Sequence, residues 1–397
     1  MADIISTLPD AILCHILSFL QTEQSVATSI LSKRWNHLWL SVPTLCFKET
    51  VLDRITTSEF NDFVYSVLVS RDFTLPIKTF YLDVTYEFPV PCPIISITKW
   101  LNFVLQTRVE YLHLHINSWH HPPKLPLTIL TCKTLVVLKL YGFSVKEVFS
   151  YSSVLLPSLK TLHLEYIRLP KLQDFIMFLS GCPILEDLRT FDVLIGSLNS
   201  QGLTSNEWKS FCLSKLTRAD IQCGANKPYF PLKALHNTHS LLLRFLRVHY
   251  RNDSIPTFHN LTQLKLVSLN YNWRFLVKLL NHCPKLQRLD IDQADVDKKI
   301  RTKRDDRDDW VDPDFVPQCL SLHLTTCNLF NFLGLQGELL LVSYILRNAE
   351  VLQTMQISNV GQKGIRRLIS SCPRASTTCQ VTIINVSIVQ KNRLKQR

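Results

Sequence analysis

The sequence predicts an α/β chain: three short helices at the start, then a curved solenoid in which strands and helices alternate. Three observations carry this. A phrase of the form apolar-x-x-apolar-x-apolar recurs ten times between Val109 and Ile357. Stretches with helical spacing of apolar residues lie between several recurrences. The opening residues, to about Trp39, hold more aliphatic and aromatic side chains than three short helices can bury among themselves.

The bulk composition agrees with a folded chain. Of 397 residues, 46% are hydrophobic and 19% charged, a balance that fills a core and excludes a disordered chain. Nine glycines against 19 prolines argue against a site built on glycine-rich phosphate loops. The formal net charge is +12, but the basic residues are spread along the chain, and Lys298 to Arg307 is interleaved with aspartates. An acidic protein partner accounts for such a surface as well as nucleic acid does. Met1 to Ser6 carries no basic start, and no apolar run approaches the roughly 18 residues that cross a membrane. The twelve cysteines read as small buried hydrophobes in a reducing compartment, the cytoplasm and/or nucleus.

The first helix opens at Leu8-Pro9-Asp10, with Thr7 as cap and Pro9 in the first turn, where its missing N–H has no helical partner. Ile12, Leu13, Ile16, Leu17, Phe19 and Leu20 then cover more than one side of it. A second helix is expected from Thr22 to Ile30, with Val26 and Ile30 inward. A third runs from Ser32 to Leu40 and holds Trp35, Leu38 and Trp39. The surplus apolar surface implies either a permanent partner or packing of these helices on the following repeats as an end cap.

Leu8-Pro9-Asp10-Ala11-Ile12-Leu13-Cys14-His15-Ile16-Leu17-Ser18-Phe19-Leu20 resembles the opening of an F-box. Thr28-Ser29-Ile30-Leu31-Ser32-Lys33-Arg34-Trp35, followed by Leu38-Trp39 and Val42-Pro43, resembles its plant form. The resemblance implies a module over residues 1–47 that binds the Skp-type adaptor of a cullin–RING (SCF-type) ubiquitin ligase. It places the docking and core-forming positions at Leu8, Pro9, Ile12, Ile16, Leu17, Leu20, Leu31, Ser32, Trp35, Leu38 and Trp39. It does not separate those that face the adaptor from those that face inward.

Beyond the helices, Thr56 and Glu59 have capping-box spacing ahead of Phe60, Phe63, Val64, Val67 and Leu68. Phe80, Leu82 and Val84 alternate as a strand. The recurring phrase then appears at Val109/Leu112/Leu114, Leu135/Leu138/Leu140, Leu159/Leu162/Leu164, Leu185/Leu188 and Leu216/Ala219/Ile221. It continues at Leu243/Leu246/Val248, Leu261/Leu264/Leu266, Leu286/Leu289/Ile291, Leu322/Leu324 and Leu352/Met355/Ile357. Most spacings are near the roughly 20–29 residues of leucine-rich repeats, which gives a repeat body over 48–292. Leu172/Phe175/Ile176/Leu179, Phe275/Leu276/Leu279/Leu280 and Leu340/Tyr344/Ile345 read as intervening helices. Gly181-Cys182-Pro183 and His282-Cys283-Pro284 close two of them, since proline cannot continue a helix. Three residues past the strand apolars stand Asn117 and Cys327 but also Phe143, Ile167 and Leu269, so several turns are expected to pack apolar side chains. The absence of glycine-rich turns after strands argues against a nucleotide-binding sheet.

Alternation along a strand sets the outward face. The candidate target-binding positions are Tyr111, His113, His115, Lys139, Tyr141, His163, Glu165, Arg189, Phe191, Phe245, Arg247, His249, Arg288 and Asp290. They mix aromatics, imidazoles and both charge signs, as a protein-recognition surface does.

Residues 293–315 are expected to form a charged, flexible loop, because Lys298 to Asp309 is almost entirely charged. Downstream, Phe332-Leu333-Gly334, Glu338-Leu339, Tyr344, Leu346, Asn348-Ala349-Glu350-Val351-Leu352 and Met355, with Cys372-Pro373-Arg374-Ala375-Ser376 and Cys379, resemble the plant FBD domain. This implies an FBD-type segment over 316–386 that closes the solenoid, before a basic tail at 387–397.

No Gly-x-Ser-x-Gly elbow, His-Glu-x-x-His, phosphate loop or Cys-x-x-Cys is present. His113, His115, His120 and His121 form the one histidine-rich group, with no carboxylate or cysteine ligand tied to them in sequence. No cofactor and no intrinsic catalysis are expected. Three readings stand: a non-catalytic receptor subunit that brings a protein target to a ubiquitin ligase, a repeat scaffold outside any ligase, and a basic nucleic-acid-binding solenoid.

Overall fold

The computed structural model describes residues 5–49, 56–86, 92–118, 122–145, 154–197, 211–224, 230–246, 255–269, 272–293, 313, 315–359 and 365–385. Two compact units make up the chain, residues 1–203 and 204–397.

The first unit opens with α1 (Asp10–Leu17), α2 (Thr22–Ala27) and α3 (Trp35–Leu38). Single 3-10 turns at Thr28–Ile30 and Trp39–Ser41 extend the last two. Pro9 stands one residue outside α1, where its carbonyl accepts from the Leu13 N–H at 3.1 Å. Leu13, Leu17, Trp35, Leu38 and Val42 form the buried core of this module, with Leu8, Cys14 and Leu20 packed against it. Ile30, expected inward, is 86% exposed. The second helix tightens to 3-10 geometry at Thr28, and the change from 3.6 to about three residues per turn rotates Ile30 off the buried face.

The helices also rest on the first strand. The Cys46 N–H in β1 (Thr44–Lys48) donates to Thr22 Oγ1 at 2.8 Å. Next, α4 (Thr57–Ser70) begins with the predicted capping box. Thr56 N–H donates to the Glu59 carboxylate at 2.7 Å, and Glu59 N–H returns to Thr56 Oγ1 at 3.3 Å. After β2 (Thr79–Tyr86) comes α5 (Ile94–Gln106), which was not expected from the sequence. Its buried Ile97, Trp100, Leu101 and Val104 nevertheless have helical spacing.

The remaining strands of this unit's main sheet are β3 (Tyr111–Ser118), β4 (Val137–Tyr141), β5 (Thr161–Glu165) and, after the short β6 (Arg168–Lys171) and α6 (Leu172–Ser180), β7 (Asp187–Phe191). Here β1, β2, β3, β4, β5 and β7 pair in parallel in that order, in one register: Leu45, Phe80, Leu112, Leu138, Leu162 and Leu188 align across the sheet. All six are buried, which fixes the register, because a one-residue slip would turn each of them to water. A second small sheet pairs β6 with β8 (Leu194–Ser197).

The expected alternation of helix and strand is incomplete. Among the described residues, the stretches before β4 and before the strand at Ser240 show 3-10 segments, Leu127–Thr131 and Leu232–Leu235, in place of a helix. Prolines recur in both connections (Pro122, Pro123 and Pro126; Pro228 and Pro231), and each removes a helical donor. The turns after the strands are built alike. Gly142, Tyr166, Asp192 and Ser268 lie just past their strands, Asn331 lies at the register irregularity near the end of its strand, and all five have positive φ. At Gly142 a Cβ would stand 2.1 Å from the Ile116 carbonyl oxygen, so only glycine fits. Phe143, Ile167 and Leu269 are buried as expected.

The second unit holds β9 (Arg218–Gly224), β10 (Ser240–Leu246), β11 (Gln263–Val267), β12 (Arg288–Asp292), β13 (Thr326–Phe332), β14 (Thr354–Asn359) and β15 (Gln380–Asn385). They pair in parallel in that order, aligning Ala219, Leu241, Leu264, Leu289, Cys327, Met355 and Val381. Two strands depart from the expected register. In β10 the inward residues are Leu241, Leu243 and Phe245, so the phrase read at Leu243/Leu246/Val248 is displaced and Phe245 points into the core, 3% exposed. The phrase read at Leu322/Leu324 is displaced too. Leu322 ends a short helix (Gln318–Leu322) and is exposed, Leu324 precedes the strand, and Cys327 with Leu329 supplies the inward pair rather than a turn. The helix Trp273–Asn281 buries Phe275, Leu276, Leu279 and Leu280 as predicted. The helix Gln336–Asn348 buries Leu341, Val342, Ile345 and Leu346, while Leu340 stays half-buried. Its first turn is tied by the buried Glu338, whose Oε2 accepts from the N–H groups of Leu333, Gly334 and Leu335 at 3.0, 2.8 and 3.0 Å.

Of the expected charged loop at 293–315, residues 294–312 and 314 lie outside the described residues, as does the basic tail at 387–397. The cysteines whose side chains are described are free thiols. Burial pushes the Cys182 and Cys319 thiols up to about 12, so they behave as small hydrophobes.

Candidate functional site

Two surfaces of the first unit gather the predicted positions. The first lies on the opening helices, where the structure separates what the sequence could not. Leu17, Trp35 and Leu38 are buried, and Leu8, Leu20 and Trp39 are partly so. Pro9, Ile12, Ile16, Leu31 and Ser32 face outward, and Leu31 is 64% exposed. Two residues absent from the expected set join them: Phe19, 76% exposed, and Ile30. Helical spacing relates Ile12, Ile16 and Phe19 along α1 and its end, which is the signal that could have found Phe19. Single exposed aliphatics are ordinary on a soluble chain, but a set of this size on one short module is not.

The second surface is the outward side of the six paired strands. Along it Tyr81, His113, Lys139, His163 and Arg189 form one row, and Asp83, His115, Tyr141, Glu165 and Phe191 the next. Tyr111 opens β3 on the same side, with the Lys139 ammonium 5.6 Å from its ring centroid. His113 packs on Tyr81 at 4.3 Å between centroids, and His115 meets Tyr141 edge-on at 3.9 Å. The aromatic contacts continue through Tyr141–Tyr166 at 4.8 Å and Tyr166–Phe191 at 5.6 Å. Polar contacts cross between strands: His115 Nδ1 hydrogen-bonds Asp83 Oδ1 at 2.6 Å, and Arg189 Nε pairs with Glu165 Oε1 at 3.2 Å. His163 Nε2 lies 3.8 Å from Asp187 Oδ1.

Burial, reinforced by the positive charge of Lys139, holds the His113 imidazole down to about 4, so it is neutral at physiological pH. Burial pushes the Asp83 carboxyl up, but hydrogen bonds and charge from His115, with the Tyr81 hydroxyl, outweigh it and hold the group below its ordinary range. Tyr81 and Asp83 were not in the expected set, because the strand Phe80/Leu82/Val84 lies ahead of the first recognised repeat.

In the second unit the predicted positions behave differently. Phe245 packs inward on Phe275, with ring centroids 5.8 Å apart. The outward position next to it is Arg244, which bonds Asp220 at 3.0 and 3.1 Å. Arg288 reaches Asp290 at 3.1 Å, but Asp290 is buried, and Asn328 Nδ2 also donates to it at 2.7 Å. Arg247 and His249 lie outside the described residues, as do His120 and His121. Among the described residues no group of three or more His, Cys, Asp or Glu could hold a metal ion. No helix of the described residues is long and apolar enough to cross a membrane.

These features define a leucine-rich-repeat protein with a helical module in front, apolar on its outer side. Comparison with known proteins finds three matches along the chain: the F-box domain model matches residues 5–47, the leucine-rich repeats of FBD-associated F-box protein At5g56370 match 97–224, and the FBD model matches 312–357. Similar along nearly the whole chain are two Arabidopsis thaliana proteins. FBD-associated F-box protein At5g56370 is 29% identical, covering 92% of each chain, and F-box/FBD/LRR-repeat protein At4g26340 is 28% identical, covering 96% of this chain and 99% of its own. F-box, leucine-rich-repeat and FBD matches thus follow one another along this chain, and in this it resembles the plant proteins whose names carry those three modules.

Proposed function

We propose that this protein is the substrate-recognition subunit of an SCF-type ubiquitin ligase, without catalytic groups of its own. One observation carries the reading: Ile12, Ile16, Phe19, Ile30 and Leu31 stand exposed on a module whose own core is complete without them. Such surface wants a permanent partner, and the F-box match supports a Skp-type adaptor in that role. Packing of the helices on β1 satisfies their other side, so docking and capping are shared between two faces.

The mechanism is proximity. The adaptor ties this chain to a cullin scaffold that carries a ubiquitin-loaded enzyme, and the outward strand face holds the target so that a target lysine meets the thioester. Binding turns a bimolecular transfer into an effectively intramolecular one. No side chain here has to exchange a proton, and the work takes place where such scaffolds are found, in the cytoplasm and/or nucleus.

The test is affinity capture of the full-length protein with the proteasome blocked, beside a variant carrying Ile16→Asp and Leu31→Asp. The native chain retains adaptor and cullin, and the variant loses both while keeping target candidates. Failure of the native chain to retain an adaptor contradicts the reading.

A further inference from the structure

We infer that a recess in the first unit, walled by Tyr141 and Tyr166 beside Asp192, receives the ammonium or guanidinium head of a lysine or arginine carried by the protein target. This deepens the ligase-receptor reading and rests on it. The recess has a volume of about 370 Å³ and is lined also by Ile116, Leu194 and Arg168.

Two features of the walls point the same way. The tyrosine rings lie 4.8 Å apart, tilted by 55°, and ring faces attract cations through their quadrupole. Asp192 adds a carboxylate in the same recess. The field at the phenols agrees: burial first raises both hydroxyls above their ordinary range, followed at Tyr141 by Tyr166 and then the charges of Glu165 and Asp192, and at Tyr166 by Asp192 and then Glu165. Arg168 opposes an incoming cation only weakly, because it is exposed and its long stem carries the charge to water. An anion would meet the Asp192 carboxylate between two aromatic walls. The backbone contributes too. Tyr166 and Asp192 both sit at positive φ in the turns after β5 and β7, which carries them off the strand rows to the edge of the recess.

The occupant is a side chain of a protein because the recess is continuous with the recognition face. Tyr141 belongs both to its wall and to the outward row of the sheet, where it touches His115. A peptide lying along that row can drop one residue into the recess.

The test uses full-length protein labelled with 3-fluorotyrosine, observed by fluorine NMR, with resonances assigned through Tyr141→Phe and Tyr166→Phe. The probes are N-acetyl methylamides of lysine, arginine, leucine and glutamate. The lysine and arginine probes should shift the Tyr141 and Tyr166 signals saturably, and the other two should not. Asp192→Asn, a residue that also tolerates the left-handed backbone, should weaken that binding by about tenfold, while Arg168→Gln should leave it equal or tighter. Unmoved tyrosine signals, equal response to the leucine probe, or a glutamate response abolished by Arg168→Gln would overturn the assignment. Adaptor capture by the same preparation separates the two claims. Adaptor bound without a basic-probe response refutes the recess alone, and the converse refutes the ligase reading.

Discussion

Arg71 Nη1 donates to the backbone carbonyl of Trp39 at 3.2 Å, and this contact joins the end of α4 to the end of the helical module. The guanidinium is buried, and burial pulls its pKa down to about 10. No carboxylate among the described residues pairs with it, and its Nε and Nη2 lack hydrogen-bond partners. A buried charge left so poorly satisfied costs free energy and does not contribute it. We therefore expect Arg71→Met to leave stability unchanged or raise it, read as the urea midpoint of the full chain. A fall of more than about 2 kcal/mol would assign the arginine a stabilising role instead.

The helical module makes a second prediction by contrast. Trp35 is core and Ile16 is surface. Trp35→Ala should cost about 3–5 kcal/mol, whereas Ile16→Asp should move stability by no more than about 0.5 kcal/mol. Thermal unfolding of the two variants checks this. Equal losses would mean that the outward face is packed.

Phe245 tests the corrected register of β10. With its ring on Phe275, Phe245→Ala should destabilise by about 3–5 kcal/mol. Arg244→Ala removes a partly exposed ion pair with Asp220 and should cost about 1 kcal/mol or less. The reverse ranking would restore the outward assignment of Phe245.

That register shows where sequence reading ran out. Strands with leucine at both inward positions, such as Leu138/Leu140 and Leu162/Leu164, were legible because their alternation has one solution. In β10, Leu241, Leu242, Leu243 and Leu246 all offer apolar choices, and Phe245 fits either face. In β13 the inward pair is Cys327 and Leu329, and a cysteine does not announce a core position. The same limit held in the helices. The sequence showed a surplus of apolar residues, but only packing shows that Leu13 and Leu17 are used inside while Phe19 and Ile30 are not. The recess by Tyr166 could not be read at all, because it depends on positive-φ turns formed by residues as unlike as Gly142, Tyr166 and Asp192.

His113 gives a pH dependence with a defined sign. Its folded-state pKa of about 4 lies below the ordinary 6.5, so folding favours the neutral ring. The contribution is fully present above about pH 6.5 and is lost as pH falls from there towards 4. Imidazole NMR should find His113 neutral at pH 5.5, and Lys139→Ala should raise its pKa by removing one of the two largest causes of the shift. A His113 that titrates near 6.5 would contradict the burial described.

The central claim is that the outward apolar face of the F-box docks an adaptor, and one titration tests it most directly: calorimetric binding of a purified Skp-type adaptor to the full-length protein and to a Phe19→Asp/Ile30→Asp variant. Both side chains are more than three-quarters exposed, so the fold should survive their change. The account predicts tight one-to-one binding by the native chain and a loss of at least about 100-fold in the variant, the size of a hot-spot pair. An unchanged affinity in a folded variant would contradict it.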